Sequence, residues 1–90
     1  TLPVLIIPTN EKYLKYAFDL SRNLYTKEVR NQIIDQFNLK KSLKYANKIK
    51  AKFALILGEY EFNNSMITFK DLENGKQYCL NQSELFTKLL

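Results

Sequence analysis

Ninety residues at 46% apolar and 26% charged, with only two glycines and two prolines, describe one compact domain and exclude a disordered tail or a multi-domain catalytic unit. A formal charge of +5, from 14 Lys and Arg against 9 Asp and Glu, favours a polyanionic partner. There is no histidine, Cys79 is the only cysteine, and no apolar run approaches the ~20 residues that span a bilayer. Zinc chemistry, a cysteine nucleophile with a histidine base, an internal disulfide and a membrane helix are therefore disfavoured, and the chain is expected to be intracellular.

In chain order, "PVLIIP" (residues 3–8) is an all-apolar run rich in β-branched residues, the pattern of a central parallel strand buried on both faces. Leu14, Ala17, Phe18, Ser21 and Leu24 recur at helical spacing, with Thr9 or Asn10 as N-cap, and predict an amphipathic helix over residues 11–25. "EVRNQII" (residues 28–34) predicts a second strand. Leu39, Leu43, Ala46 and Ile49 mark a second helix, with Leu39, Leu43 and Ala46 facing the sheet, and "KFALILG" predicts a third buried strand ending at Gly58. The order β-α-β-α-β implies parallel strands with right-handed crossovers.

After Gly58 the period changes. "MITFK" alternates, Ile67 and Phe69 on one face against Met66, Thr68 and Lys70 on a face expected to be open. Asn74-Gly75 is a turn signal, so residues 65–80 predict a β-hairpin, and Asn81 or Ser83 can cap a last helix running to Leu90.

The first strand-to-helix turn, "IPTNEKY", holds no glycine, which argues against a mononucleotide phosphate loop there. Six of the 14 basic residues, Lys40, Lys41, Lys44, Lys48, Lys50 and Lys52, fall in one stretch with no acid between Asp35 and Glu59. On a helix Lys40, Lys44 and Lys48 form a stripe, either a solvated face or a phosphate-attracting one. Glu59 and Glu61 break the basic character of the chain just after the third strand. A carboxylate repels phosphate yet accepts two hydrogen bonds from the Watson–Crick edge of guanine, so either glutamate can read a base, or instead cap a turn or pair with Lys70. Tyr60, between them, is the tyrosine best placed in sequence to stack on a base.

Read together, "VLIIP", "AFDLSRNL", "LKKSLKYANKIKAKFALILGEYEF" and "ITFKDLENGKQ" resemble, over nearly the whole chain, the C-terminal anticodon-binding domain of class II aminoacyl-tRNA synthetases, the histidyl-tRNA synthetase version most of all. The combination of "LKYA", "GEYE" and "KDLENGKQ" in that order is the specific part. The resemblance implies an α/β fold with a five-stranded mixed sheet and three flanking helices, formed by residues 1–90 as one domain excised from the C-terminus of a longer chain. It also implies a module that binds the anticodon stem-loop of a histidine-accepting tRNA, anticodon G-U-G. Glu61 and Lys70 are the matching base-reading positions, with Glu59, Thr68 and Gln77 close by; Lys40, Lys41, Lys44 and Lys48 are the candidates for the tRNA backbone.

The chain departs from the family where Lys27-Glu28 replaces a glycine after the first helix, where Leu24-Tyr25 replaces an arginine, where "DQFN" shortens a loop, and where Asn63-Asn64-Ser65 replaces a glycine at the hairpin entry. An asparagine at positive φ is expected to do that last glycine's job. No catalytic motif lies in this segment, which is expected to be non-catalytic and to bind no cofactor. The resemblance assigns ATP, magnesium, L-histidine, a homodimer and a cytoplasmic or organelle-matrix location to a parent histidine–tRNA ligase. The alternative from another class is an accessory or protein-interaction module of a synthetase-like paralogue that reads no anticodon.

Overall fold

The computed structural model describes residues 4–90. Strands β1 (Val4–Pro8), β2 (Asn31–Ile33) and β3 (Phe53–Leu57) run parallel, and β4 (Ile67–Asp71) and β5 (Gln77–Leu80) extend the sheet antiparallel in the order β2-β1-β3-β4-β5. Helices α1 (Leu14–Thr26), α2 (Leu39–Lys48), α3 (Glu59–Asn64) and α4 (Gln82–Leu89) complete it. The expected five-stranded mixed sheet is present; α3, a short helix between β3 and β4, adds to the three helices expected. Pro3, read as the start of the first strand, lies outside the described residues.

Strand alternation divides the core. Val4, Ile6, Leu55, Leu57, Ile67, Phe69 and Leu80 pack under α1 and α4, while Leu5, Ile7 and Ala54 pack on the other face with Ile34, Ala46 and Ala51, under α2. The two helices take opposite faces because successive right-handed crossovers run in opposite directions from β1, first out to β2 and then back past β1 to β3.

Helix α1 begins with a 3₁₀ turn at Glu11–Tyr13, where the Asn10 side chain accepts from the Lys12 N–H at 3.0 Å. Thr9 is occupied elsewhere: its N–H and hydroxyl both donate to the Leu57 carbonyl, at 2.9 and 3.2 Å. The buried stripe is Tyr13, Ala17, Leu20 and Leu24, not the expected Leu14, Phe18 and Ser21; Phe18 is 53% exposed. In α2, Ser42 and Ala46 contact the sheet and Leu39 is exposed, a second correction. Two small residues a turn apart let the helix lie close to β1, and the larger Leu43 packs only partly buried.

Helix ends here use residues other than glycine in the left-handed region. At the end of α1, Glu28 has φ 61°, with Glu28 N–H bonded to Tyr25 O and Val29 N–H to Leu24 O, both 2.9 Å, the Schellman arrangement. Lys50 (φ 57°) does the same after α2, with Ala51 N–H reaching Ala46 O at 3.0 Å. After α3 the left-handed residue is Ser65, φ 54°, and neither asparagine expected to take that role does so. The β4–β5 connection spans residues 72–76, with only Gly75 at positive φ (76°), and Asp71 Oδ1 accepts from the N–H groups of Glu73 and Asn74 at 2.9 and 3.3 Å.

Candidate nucleic-acid interface

Residues paired across neighbouring strands project to the same side of a sheet. Thr68 faces Ile56 and Cys79 across the ladder, and Lys70 faces Ala54 and Gln77. Ala54 belongs to the α2 side of the core, so Lys70, Gln77 and Cys79 form a polar strip beside α2 on one side of the molecule. The lysines of α2, Lys40, Lys41, Lys44 and Lys48, are solvated, and among the described residues the single ion pair is Arg22–Asp19 at 3.7 Å. The α2 lysines therefore keep their charge free for an anionic partner, as the stripe reading requires.

Helix α3 organises the end of this strip. Gly58, buried, is its N-cap with φ −121°, an extended conformation any residue can adopt; what favours glycine is the room it leaves for the Glu61 carboxylate. A Cβ there would stand 2.9 Å from Glu61 Oε1 and 3.3 Å from Thr9 Oγ1. Glu61 Oε1 accepts from the Gly58 N–H at 2.8 Å, the reciprocal half of a capping box, and Glu61 Oε2 accepts from the Thr68 hydroxyl at 2.6 Å. Glu61 thus closes the N-terminus of α3 and ties the helix to β4.

One expectation changes as a result, and one open alternative is decided. Thr68 does not lie on an open face: it is 9% exposed, covered where α3 closes over the end of β4, and its hydroxyl is committed to Glu61. For Glu61 the capping alternative holds, and its side-chain partner is Thr68 rather than Lys70. Each carboxylate oxygen keeps a further lone pair, so Glu61 can still accept from a ligand. Glu59 is exposed in the first turn of α3, where a carboxylate complements the partial positive charge of the helix start. Gln77 is exposed and Lys70 half-buried beside it.

Tyr16, from α1, buttresses α3 from the other face. Its hydroxyl donates to the Met66 carbonyl at 2.7 Å. Burial, and after it the negative charge of Glu61 and of Cys79, raise its pKa above the usual tyrosine value. The aromatic cluster of Tyr13, Tyr16 and Phe62 around this contact carries no sequence signal as a unit, since periodicity does not reveal α3. The available signal is the spacing from Gly58 to Glu61, a capping box in which glycine stands where serine or threonine would have announced the helix.

Residues 3–90 match the family model described as "Anticodon binding domain". The chain belongs to the anticodon-binding domain family. It is 39% identical over 71 residues to a histidine–tRNA ligase of Clostridium kluyveri, covering 77% of the chain and 17% of that protein. To a threonine–tRNA ligase of Nanoarchaeum equitans it is 32% identical over 87 residues, 96% of the chain and 14% of that protein. Among solved structures, the RNA-binding domain of threonyl-tRNA synthetase from Cryptosporidium parvum superposes with a TM-score of 0.91 at 18% identity, covering 97% of this chain and 22% of that one. Histidyl-tRNA synthetase from Nostoc sp. PCC 7120 gives 0.88 at 19% identity, with 99% and 23% covered. This anticodon-binding domain thus spans less than a quarter of the length of each of these relatives. Among the described residues of the domain no helix is long and apolar enough to cross a membrane, and no group of His, Cys, Asp and Glu is placed to hold a metal.

Proposed function

We propose that this anticodon-binding domain grips the anticodon stem-loop of a histidine-accepting tRNA, with the α2 lysines on the phosphate backbone and the strip beside them on the bases. The observation that carries the reading is that Lys40, Lys44 and Lys48 and the Lys70–Gln77 pair come from segments far apart in sequence and lie on one side of the sheet. Phosphate attraction holds the loop without regard to sequence, and donors and acceptors at its edge then discriminate among unstacked bases. Lys70 and Gln77 are the accessible readers, Glu61 contributes its unused lone pairs, Glu59 stands at the margin, and Thr68 acts by fixing Glu61.

Histidine–tRNA ligases among the relatives of this chain support the amino-acid assignment. In this reading the domain belongs to a homodimeric histidine–tRNA ligase working in the cytoplasm or an organelle matrix. ATP, magnesium and histidine are handled by a catalytic domain outside these residues, since this segment offers neither a glycine-rich phosphate loop nor, among the described residues, a metal-holding cluster. The role of these residues is to position the tRNA.

The test is a fluorescence-anisotropy titration with stem-loops bearing G-U-G or a scrambled loop over a range of salt. Alanine at Lys40, Lys44 and Lys48 should weaken both loops alike and flatten the log–log salt slope by roughly 0.7–0.9 for each phosphate no longer neutralised. Lys70→Ala and Glu61→Gln should narrow the ratio between the loops. Equal binding of the two loops by the unmodified domain at every salt concentration would end the base-reading claim.

A further inference from the structure

The face of α3 opposite to Glu61 holds a second feature that the reading above does not use. Phe62 is 51% exposed, although its ring centroid lies 5.4 Å from that of Tyr13 (interplanar 43°) and 6.0 Å from that of Tyr16 (70°). Tyr13 is almost fully buried and Tyr16 is held by its bond to Met66 O, so Phe62 has a rigid aromatic wall behind it and an open flank in front. A residue needed only to close the α1–α3 contact could be a leucine; half of a phenylalanine left in water forgoes its burial energy. The flank opens on a cavity of about 210 Å³ lined by Lys12, Tyr13, Glu59, Phe62 and Asn63. Lys12 Nζ sits 5.3 Å from the Tyr13 ring centroid, so a cation stands at the same rim.

We infer that Phe62, backed by Tyr13, forms with Lys12 a stacking site for an unpaired nucleobase of the bound RNA, at the α1–α3 edge and separate from the β4–β5 strip. The charge pattern orients the occupant. Lys12 takes the phosphate, and Glu59, which repels it, accepts from N–H donors on the base edge, with Asn63 able to donate or accept beside it. Guanine, which presents two adjacent donors, suits this edge better than uracil, which presents one. A flat, electron-rich ring against Phe62 and a phosphate over Lys12 are what a nucleotide offers and what an apolar peptide side chain does not. The inference rests on the RNA-binding reading above but not on its anticodon discrimination.

The experiment uses the whole chain and two fluorescent probes, the G-U-G stem-loop and an unstructured mixed-sequence oligonucleotide lacking that triplet, with melting curves recorded for every variant. Phe62→Leu keeps the apolar packing with Tyr13 and Tyr16 and removes the stacking face. It should weaken both probes about 5- to 160-fold, the range expected when one base no longer stacks. Phe62→Tyr should bind like the unmodified chain, and Lys12→Ala should flatten the salt dependence by roughly the share of one phosphate. A folded Phe62→Leu that binds both probes with unchanged affinity overturns the inference, as does a chain that binds neither probe. If a scrambled stem-loop competes as well as the G-U-G stem-loop for the unmodified chain, yet Phe62→Leu weakens both probes and Phe62→Tyr does not, the anticodon reading falls and the stacking site stands.

Discussion

Replacing Glu61 separates its structural role from any role on RNA. Its carboxylate, partly buried, accepts two charge-assisted hydrogen bonds, from the Gly58 N–H at 2.8 Å and from the Thr68 hydroxyl at 2.6 Å. Glu61→Ala removes both and leaves the N–H of buried Gly58 without its partner. With bonds to charged groups contributing ~1.5–3 kcal/mol each, and a discount for partial exposure, the expected loss is about 3 kcal/mol. For a domain of this size that lowers Tm by roughly 12–24 °C. Glu61→Gln is milder, because its carbonyl still accepts from Gly58 and its amide can donate to Thr68 with the hydroxyl reversed, so the loss should be about 1 kcal/mol. Urea unfolding of the two variants, of Thr68→Val, and of the Glu61→Ala/Thr68→Val double variant would give a coupling of ~1 kcal/mol. An alanine variant within ~0.5 kcal/mol of the parent, or additive single and double variants, would refute the assignment of Glu61 as the tie between α3 and β4. Any RNA-binding defect should be judged on Glu61→Gln, since the alanine variant can lose affinity through loosening of α3 alone.

Other changes probe the backbone and the pH response. Glu28→Gly and Ser65→Gly, at φ 61° and 54°, should each stabilise the domain by about 1 kcal/mol, read as a rise in Tm; a fall at both sites would contradict the left-handed helix ends. Gly58→Ala should destabilise by ~1–2 kcal/mol, because the new methyl displaces the Glu61 carboxylate from its cap, and should cost much less in a Glu61→Ala background. Tyr16 has a raised pKa in the fold, so above the unfolded value near 10 the unfolded chain has released a proton that the native chain still holds. Its contribution is therefore complete below pH 10 and is lost as pH rises through the folded pKa. Melting curves between pH 9 and 11 should fall less steeply for Tyr16→Phe, and identical slopes would show that Tyr16 does not supply this dependence.

Much of the architecture was legible from periodicity and punctuation. The all-apolar runs at residues 4–8 and 53–57 mark the central strands because only a strand covered on both faces tolerates them, and the alternation in "MITFK" marks a strand whose two faces differ. In the first helix Ala17 and Leu24 are buried as expected, but Tyr13 and Leu20 are buried where Leu14, Phe18 and Ser21 were expected, because periodicity marks a broad apolar stripe without fixing which of its edges meets the sheet. The same holds for α2, where Ser42 faces inward because the helix packs close. Helix α3 was invisible because a six-residue helix has no period of its own and its N-cap is a glycine.

By itself, the sequence determined the sheet's composition, the order of its elements, the excess of positive charge and the segment in which family-specific residues concentrate. These depend on local pattern and composition, which the chain carries along its length. Only the tertiary structure decided which of those residues are available. Strand pairing set Lys70 beside Gln77 on the α2 side of the sheet, and the closing of α3 over the end of β4 buried Thr68 and engaged both oxygens of Glu61. The same short helix turned Phe62 outward against two tyrosines. The Glu61 bonds and the Lys70–Gln77 pair close within a short stretch around α3 and the β4–β5 connection, whereas the Phe62 setting reaches back to Tyr13 and Tyr16; neither kind of contact leaves a periodic trace in the residues that make it.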